Sequence, residues 1–209
     1  RMGGNAIRCV AKYLFDNGIV RKRDMTIETL SGNRQLHVYS YDGEICSVQV
    51  DMGKPEFDPK KLPVLMDGEK IISRPIKVLG KDYDVTCLSM GNPHCVVLCD
   101  NPEALDLETV GRAFETHELF PERINTEFIK IIDRKTIKMR VWERGSGETR
   151  ACGTGACAAV VAAVENGLCP KNEDITVKLL GGELIVRYTD ESVLMTGNAV
   201  KVYDGIVKL

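Results

Sequence analysis

A cysteine followed by glycines, at the mouth of an apolar stretch, is the pattern in this sequence best suited to chemistry. Residues 141–161 read VWERGSGETRACGTGACAAVV: a strand-like run ending in Glu143 and Arg144, a glycine-rich loop, then Cys152 directly before small apolar residues. If that last run is a helix, the free N–H groups of Gly153, Thr154 and Gly155 form a cradle for an anion. The same positive pole predicts thiolate character for Cys152 near neutral pH. The segment also reads as a tight turn around a small buried thiol with no chemical role, and the residues alone leave both readings open. Gly-Thr-Gly-Ala-Cys-Ala matches a form of the dinucleotide fingerprint as well, but that motif needs a glycine directly after a parallel strand. Here eight residues separate Glu143 from Cys152, and the strands that follow look antiparallel.

A second cluster is GNPHCVVL, residues 91–98. Asn92 and His94 sit in a proline-containing turn that feeds a strand, so their side chains can point into a cleft at its end. Asn125, in RINTEF, precedes another strand. Each doubles as an ordinary turn former, and Glu143 with Arg144 would by default be a solvated pair.

The elements that must position these groups follow from an internal repeat. Placing Arg1-Met2-Gly3-Gly4-Asn5 over Arg150-Ala151-Cys152-Gly153-Thr154, an offset of 149, sets Asn17-Gly18 over Asn166-Gly167 without a gap. One residue further on, Asp24-Met25-Thr26-Ile27 falls over Asp174-Ile175-Thr176-Val177. Each copy reads as glycine loop, apolar helix, Asn-Gly stop, strand, turn, strand. The helix 155–165 is apolar on nearly all sides, which predicts burial all round rather than along one stripe. Strands are expected at 26–30, 35–39, 45–52, 84–89, 95–99, 127–132, 136–142, 174–179, 183–188 and 192–196, with an outer amphipathic helix at 105–116. The fold class predicted is α+β, two pseudo-symmetric halves, each a mainly antiparallel sheet or barrel wrapped around a central helix. Residues 1–54 are expected to form the remainder of the N-terminal half, 55–75, with four prolines, the connection, 76–196 the C-terminal half, and 197–209 a strand returning to the N-terminal half.

Composition bounds the function. Among 209 residues, 44% are hydrophobic and 28% charged, which excludes a disordered or fibrous chain. Lys+Arg 28 against Asp+Glu 30 gives net −2 with no long run of one sign, which disfavours nucleic acid and membrane surfaces as partners. The apolar run 156–164 is too short to span a bilayer and no signal peptide is visible, so a cytoplasmic chain is expected. Eight cysteines read as thiols rather than a disulfide framework. No CxxC pair occurs and His37, His94 and His117 lack ligand spacing, so no metal site is expected. The chain opens inside its own repeat motif, which predicts that an N-terminal segment precedes Arg1.

GNPHCVVL, RINTEFI, WERGSGETRACGTGACAA, the opening MGGNAIRCVAKY and the tail LMTGNAVKVYDG together resemble the diaminopimelate epimerase family, in order, over essentially the whole chain. Proline racemases and phenazine-biosynthesis-type isomerases share that fold, without all these segments together. The resemblance implies an isomerase that interconverts LL- and meso-diaminopimelate for lysine and peptidoglycan precursors, with no cofactor. A thiolate takes the α-proton while an opposing thiol returns one on the other face, and helix-mouth N–H groups stabilise the carbanion through the α-carboxylate. It implies Cys152 as one catalytic cysteine, Gly4, Asn5, Asn92, Asn125, Glu143, Arg144, Gly153 and Thr154 as substrate contacts, and His94 and Glu143 as residues tuning the thiols. A small amino-acid substrate is the implied partner, and a homodimer is compatible with it.

The sequence departs from the pattern at Gly3, where both the repeat and the family expect the second catalytic cysteine. Cys9 belongs to a separate family position further into the helix and does not obviously replace it. Ala6 stands where the family has Gly, and Asn198 where it has Pro. Impaired turnover is therefore expected. The alternatives left open are a catalytically silent carboxylate-binding homologue and a related one-base isomerase or dehydratase.

Overall fold

The computed structural model describes residues 4–30, 32–42 and 44–207. Gly3, on which the expectation of a missing cysteine rests, lies outside the described residues. In chain order the elements are α1 (Gly4–Asp16), β1 (Asp24–Thr29), β2 (Gly32–Tyr41), β3 (Glu44–Asp51), β4 (Ile71–Val78), β5 (Lys81–Ser89), β6 (Pro93–Leu98), α2 (Leu107–Glu115), β7 (Asn125–Asp133), β8 (Thr136–Glu143), β9 (Gly147–Thr149), α3 (Gly153–Glu165), β10 (Asp174–Leu179), β11 (Gly182–Tyr188) and β12 (Val193–Gly197). The strands form one path, β1-β2-β3-β12-β11-β10-β8-β7-β6-β5-β4, with β9 added to β8. Among the described strands the pairings β6–β7 and β8–β10 are parallel and the others antiparallel. The architecture is the α+β arrangement expected.

The internal repeat is written into the hydrogen bonds. At the end of α1 the Asn17 amide nitrogen donates to Tyr13 O, Gly18 N to Phe15 O and Ile19 N to Leu14 O. At the end of α3, 149 residues on, Asn166 N donates to Ala162 O, Gly167 N to Val164 O and Leu168 N to Ala163 O. Both stops place a glycine in the left-handed region, Gly18 at φ 66° and Gly167 at φ 72°, where a side chain would be strained. The hairpins agree too: Asp24 pairs His37 in β1–β2, and Asp174 pairs Arg187 in β10–β11, 150 residues later. Even the cross-strand polar contact is repeated, His37 Nδ1 to Asp24 at 2.7 Å and Arg187 Nε to Asp174 at 2.8 Å. The two copies meet where β3 pairs β12, Val50 opposite Met195.

The helices differ in burial for a reason visible in the topology. α3 is enclosed by strands from β5 round to β12, and residues 153–163 are all buried. Among the described residues α1 lies chiefly against β2, β3 and the end of α3, and touches β12 through Gly4 and Arg8. It buries Gly4, Ile7, Arg8 and Ala11 and leaves Val10 and Tyr13 exposed. Strands β5, β6 and β7 are apolar on both faces because they separate two cores. Leu88, Val96 and Ile129 face α3, while Cys87, Val97 and Phe128 face α2.

Two expectations need correction. The stretch 55–75 is folded onto the second half rather than strung between halves: Leu62 and Val64 enter the α2-side core, and β4, which contains Pro75, pairs β5. β4 is the end strand of the sheet, where a proline leaves no ladder partner wanting. The strand that returns to the N-terminal half is β12, ending at Gly197, and residues 198–207 form no strand.

Candidate active site

Cys152 is the N-cap residue of α3, with extended backbone (φ −132°, ψ 110°), and its carbonyl accepts the first helical bond from Ala156 N at 2.9 Å. The residues that follow begin the helix with their N–H groups unpaired by it. Duplication brings a second helix mouth to the same place. A Cβ built on Gly153 would lie 3.8 Å from the Gly4 Cα and 3.1 Å from the Met195 sulfur, and one on Gly4 would lie 2.9 Å from Met195 Cε. Glycine at both positions lets the ends of α1 and α3 come together over the Met195 side chain, so two helix N-termini face one spot.

The thiol itself is not the thiolate that the helix mouth suggests. Cys152 is 6% exposed, and its pKa is pushed up to about 12, first by burial and then by the Glu127 and Glu143 carboxylates. The Thr154 hydroxyl, with Oγ1 3.6 Å from Sγ, and the Gly155 amide pull the other way and lose. Desolvation of the charged form outweighs the helix pole. Cys157, one turn further in, is raised further still by its complete burial.

Glu127 was absent from the residues singled out in the sequence. It lies two residues after Asn125 on β7, so strand alternation puts both side chains on one face, and that is the signal that could have found it. Its Oε1 is 2.7 Å from His94 Nδ1, with both side chains fully buried. A carboxylate only accepts, so Nδ1 carries the proton. His94 Nε2 lies 3.1 Å from Asn92 Oδ1. The Glu127 Oε2 is buried without a hydrogen-bond partner among the described residues. The same carboxylate sits beneath the helix mouth, since a Cβ on Gly155 would lie 2.6 Å from its Oε1 and 3.3 Å from Cys152 Sγ.

Asn125 ties two loops together. Its Nδ2 donates to Pro93 O at 2.7 Å and its Oδ1 accepts from Arg144 N at 3.0 Å. The GNPH turn and the Glu143–Arg144 turn are thereby held in register by a residue for which the resemblance implies a substrate contact. Glu143 Oε1 accepts from Thr149 Oγ1 at 2.6 Å, and the Arg144 guanidinium donates to Glu122 O at 2.9 Å. Cys152, Gly153, Thr154 and Gly4 thus converge at the paired mouths, His94 and Asn92 join them through Glu127, and Glu143 acts on the thiol electrostatically. Asn5 is the outlier: its side chain is exposed and accepts from Arg8 Nη2 at 3.2 Å. Arg8 is buried, and it also donates to Gly4 O and Asn198 O, bracing the mouth of α1 from within.

A family model described as diaminopimelate epimerase matches residues 1–57 and 86–202. Diaminopimelate epimerase of Acetivibrio thermocellus is 51% identical over 100% of this chain and 74% of its own length. That of Desulfovibrio desulfuricans is 46% identical over 98% and 73%. Among solved structures, a probable proline racemase from Agrobacterium radiobacter superimposes with TM-score 0.66 at 17% identity, over 94% of this chain and 64% of that one, just under two thirds. A phenazine biosynthesis protein from Bacillus anthracis gives 0.65 at 17%, over 100% and 76%. At such identities these structures speak for the fold. No helix among the described residues is long and apolar enough to cross a membrane.

Proposed function

The chain belongs to the diaminopimelate epimerase family, and we propose that it holds an amino-acid α-carboxylate between the two helix mouths and exchanges the α-proton through Cys152. The observation that carries this reading is the convergence of Gly4 and Gly153 over Met195 beside a buried thiol. Two helix poles there supply N–H donors for the negative charge that develops on the carboxylate as the α-proton leaves. No cofactor enters the proposed reaction. LL- and meso-diaminopimelate are the substrates that the family implies, in precursor synthesis for lysine and peptidoglycan.

Cys152 enters as the proton-holding partner. Burial and two carboxylates keep its thiolate scarce, so Cys152 takes the α-proton only in that minor form and, after exchange with solvent, returns one on the same face, which makes the exchange slow. In a two-base inversion the base on the opposite face would stand at the repeat position of Cys152, and that position is Gly3 in this sequence. Glycine can neither take nor give a proton, and a missing general base typically costs ~10²–10⁴ in rate. Asn92, Asn125, Glu143 and Arg144 are assigned to holding the rest of the substrate, and His94 to ordering the carboxylate that acts on the thiol.

The test is incubation with each stereoisomer of diaminopimelate in D₂O, followed by chiral separation and mass measurement. Slow α-deuteration that disappears in Cys152→Ala, with at most a trace of inversion, is the expected result. Rapid inversion would overturn the impairment, and exchange that survives Cys152→Ala would remove Cys152 from its role. Carboxylate binding without any exchange would favour a silent binding homologue.

A further inference from the structure

Glu115 is the last residue of α2, where the helix presents its negative pole and an acidic side chain is disfavoured. It is nonetheless 6% exposed, so burial also works against its charge. Three donors hold it as a carboxylate: Trp142 Nε1 at 2.7 Å on Oε2, and Gly145 N at 2.9 Å and Arg123 Nη1 at 3.4 Å on Oε1. Together these outweigh the burial, and its pKa falls below the usual carboxylate range. The first two donors flank Glu143 and Arg144 in the chain. α2 is pressed against this segment through Gly111, where a Cβ would lie 2.6 Å from the Trp142 ring. Gly145 takes φ 75°, a left-handed conformation that makes the turn possible. On the outer side lies an open cleft of about 630 Å³, so packing does not confine the turn there. From the inner side Asn125 accepts from Arg144 N.

We propose that Glu115 is a positioning residue: its carboxylate, gripping Trp142 and Gly145, fixes where Glu143 and Arg144 meet the substrate. The inference rests on the assignment of that turn to substrate binding made above. It adds a residue on the far side of the turn that touches neither the substrate nor Cys152. Loss of the carboxylate frees the turn while leaving both helix mouths as they are.

The experiment is Glu115→Gln, which keeps the side chain's size but offers one acceptor oxygen to the three N–H donors. Hydrogen exchange resolved to single amides should speed at least tenfold at Arg144, Gly145 and Ser146 and stay unchanged at 160–163 in α3. Affinity for diaminopimelate, measured by calorimetry, should fall at least tenfold, about 1.4 kcal/mol. Wild-type exchange at Arg144 and Ser146, or wild-type affinity with a loosened turn, would overturn the proposal. Absence of diaminopimelate binding by the wild type would sink the substrate reading instead, and the exchange rates would still decide whether Glu115 holds the turn. If Glu115→Gln also speeds the α3 amides, Trp142→Phe, which removes a single donor, is read in the same way: faster exchange at Arg144 and Ser146 supports the grip, and unchanged rates refute it.

Discussion

Replacing Glu127 by Gln should make Cys152 more reactive, although nothing in contact with solvent changes. With a pKa of about 12, only ~10⁻⁵ of Cys152 is thiolate at pH 7, against ~1% for a thiol at its ordinary value of 9.0. Glu127 Oε1 and Cys152 Sγ both lie within 3.3 Å of one point, the Cβ position of Gly155, so they are less than about 6 Å apart. A unit charge at that distance is worth about 3 kcal/mol at an effective dielectric of 20, roughly two pKa units, and half that if screening doubles. The amide keeps the carboxylate's shape and an oxygen for His94 Nδ1–H, so Cys152 should fall by one to two units. Iodoacetamide labelling with mass mapping of each cysteine at pH 7–10 measures this. In the wild type the exposed Cys9 and Cys46 react first, and the Cys152 rate climbs about tenfold per pH unit without a plateau. In Glu127→Gln the Cys152 rate at fixed pH should rise 10- to 100-fold, with Cys9 as the internal reference. An unchanged or slower rate, or a wild-type Cys152 that titrates at or below 9, would refute the electrostatic reasoning.

Thr154→Val should act in the opposite direction, because it deletes a hydroxyl that favours the thiolate; slower Cys152 alkylation at every pH is expected, and a faster rate would count against the 3.6 Å contact. Alkaline stability follows from the raised folded-state pKa: the contribution of Cys152 is complete below about pH 9 and is lost as pH climbs towards 12, at about 1.4 kcal/mol per pH unit. Urea melts between pH 8 and 10.5 should show that decline, with a shallower slope in Cys152→Ala. Gly155→Ala places a methyl 2.6 Å from the Glu127 carboxylate, and should lower Tm by roughly 3–8 °C, the usual cost of overpacking. A Tm at or above wild type would mean that the His94–Glu127 pair yields without cost.

Local pattern carried much of this protein. The repeat visible in the residues reappears as the same stop at Asn17-Gly18 and Asn166-Gly167 and as the same hairpin register at Asp24 and Asp174, because helix stops and hairpins are specified by neighbouring residues. The all-round burial of α3 was legible from its apolar, small-residue run, and the family from motifs spread along the chain. Other features depend on partners that are distant in sequence. β4 reads as a proline-interrupted connection until an edge position beside β5 is available to it. The one-sided burial of α1, against the full enclosure of α3, comes from which strands surround each helix. Glu127 became part of the site because β6 and β7 pair in parallel and set it against His94, and Glu115 because α2 docks on Trp142. The charge state of Cys152 is the sharpest case. Its chain neighbours, a helix mouth and a threonine, argue for a thiolate, whereas burial and carboxylates from β7 and β8 keep the proton on. Desolvation and Coulomb energy act through space, so they are decided only when the chain has folded around the group that feels them.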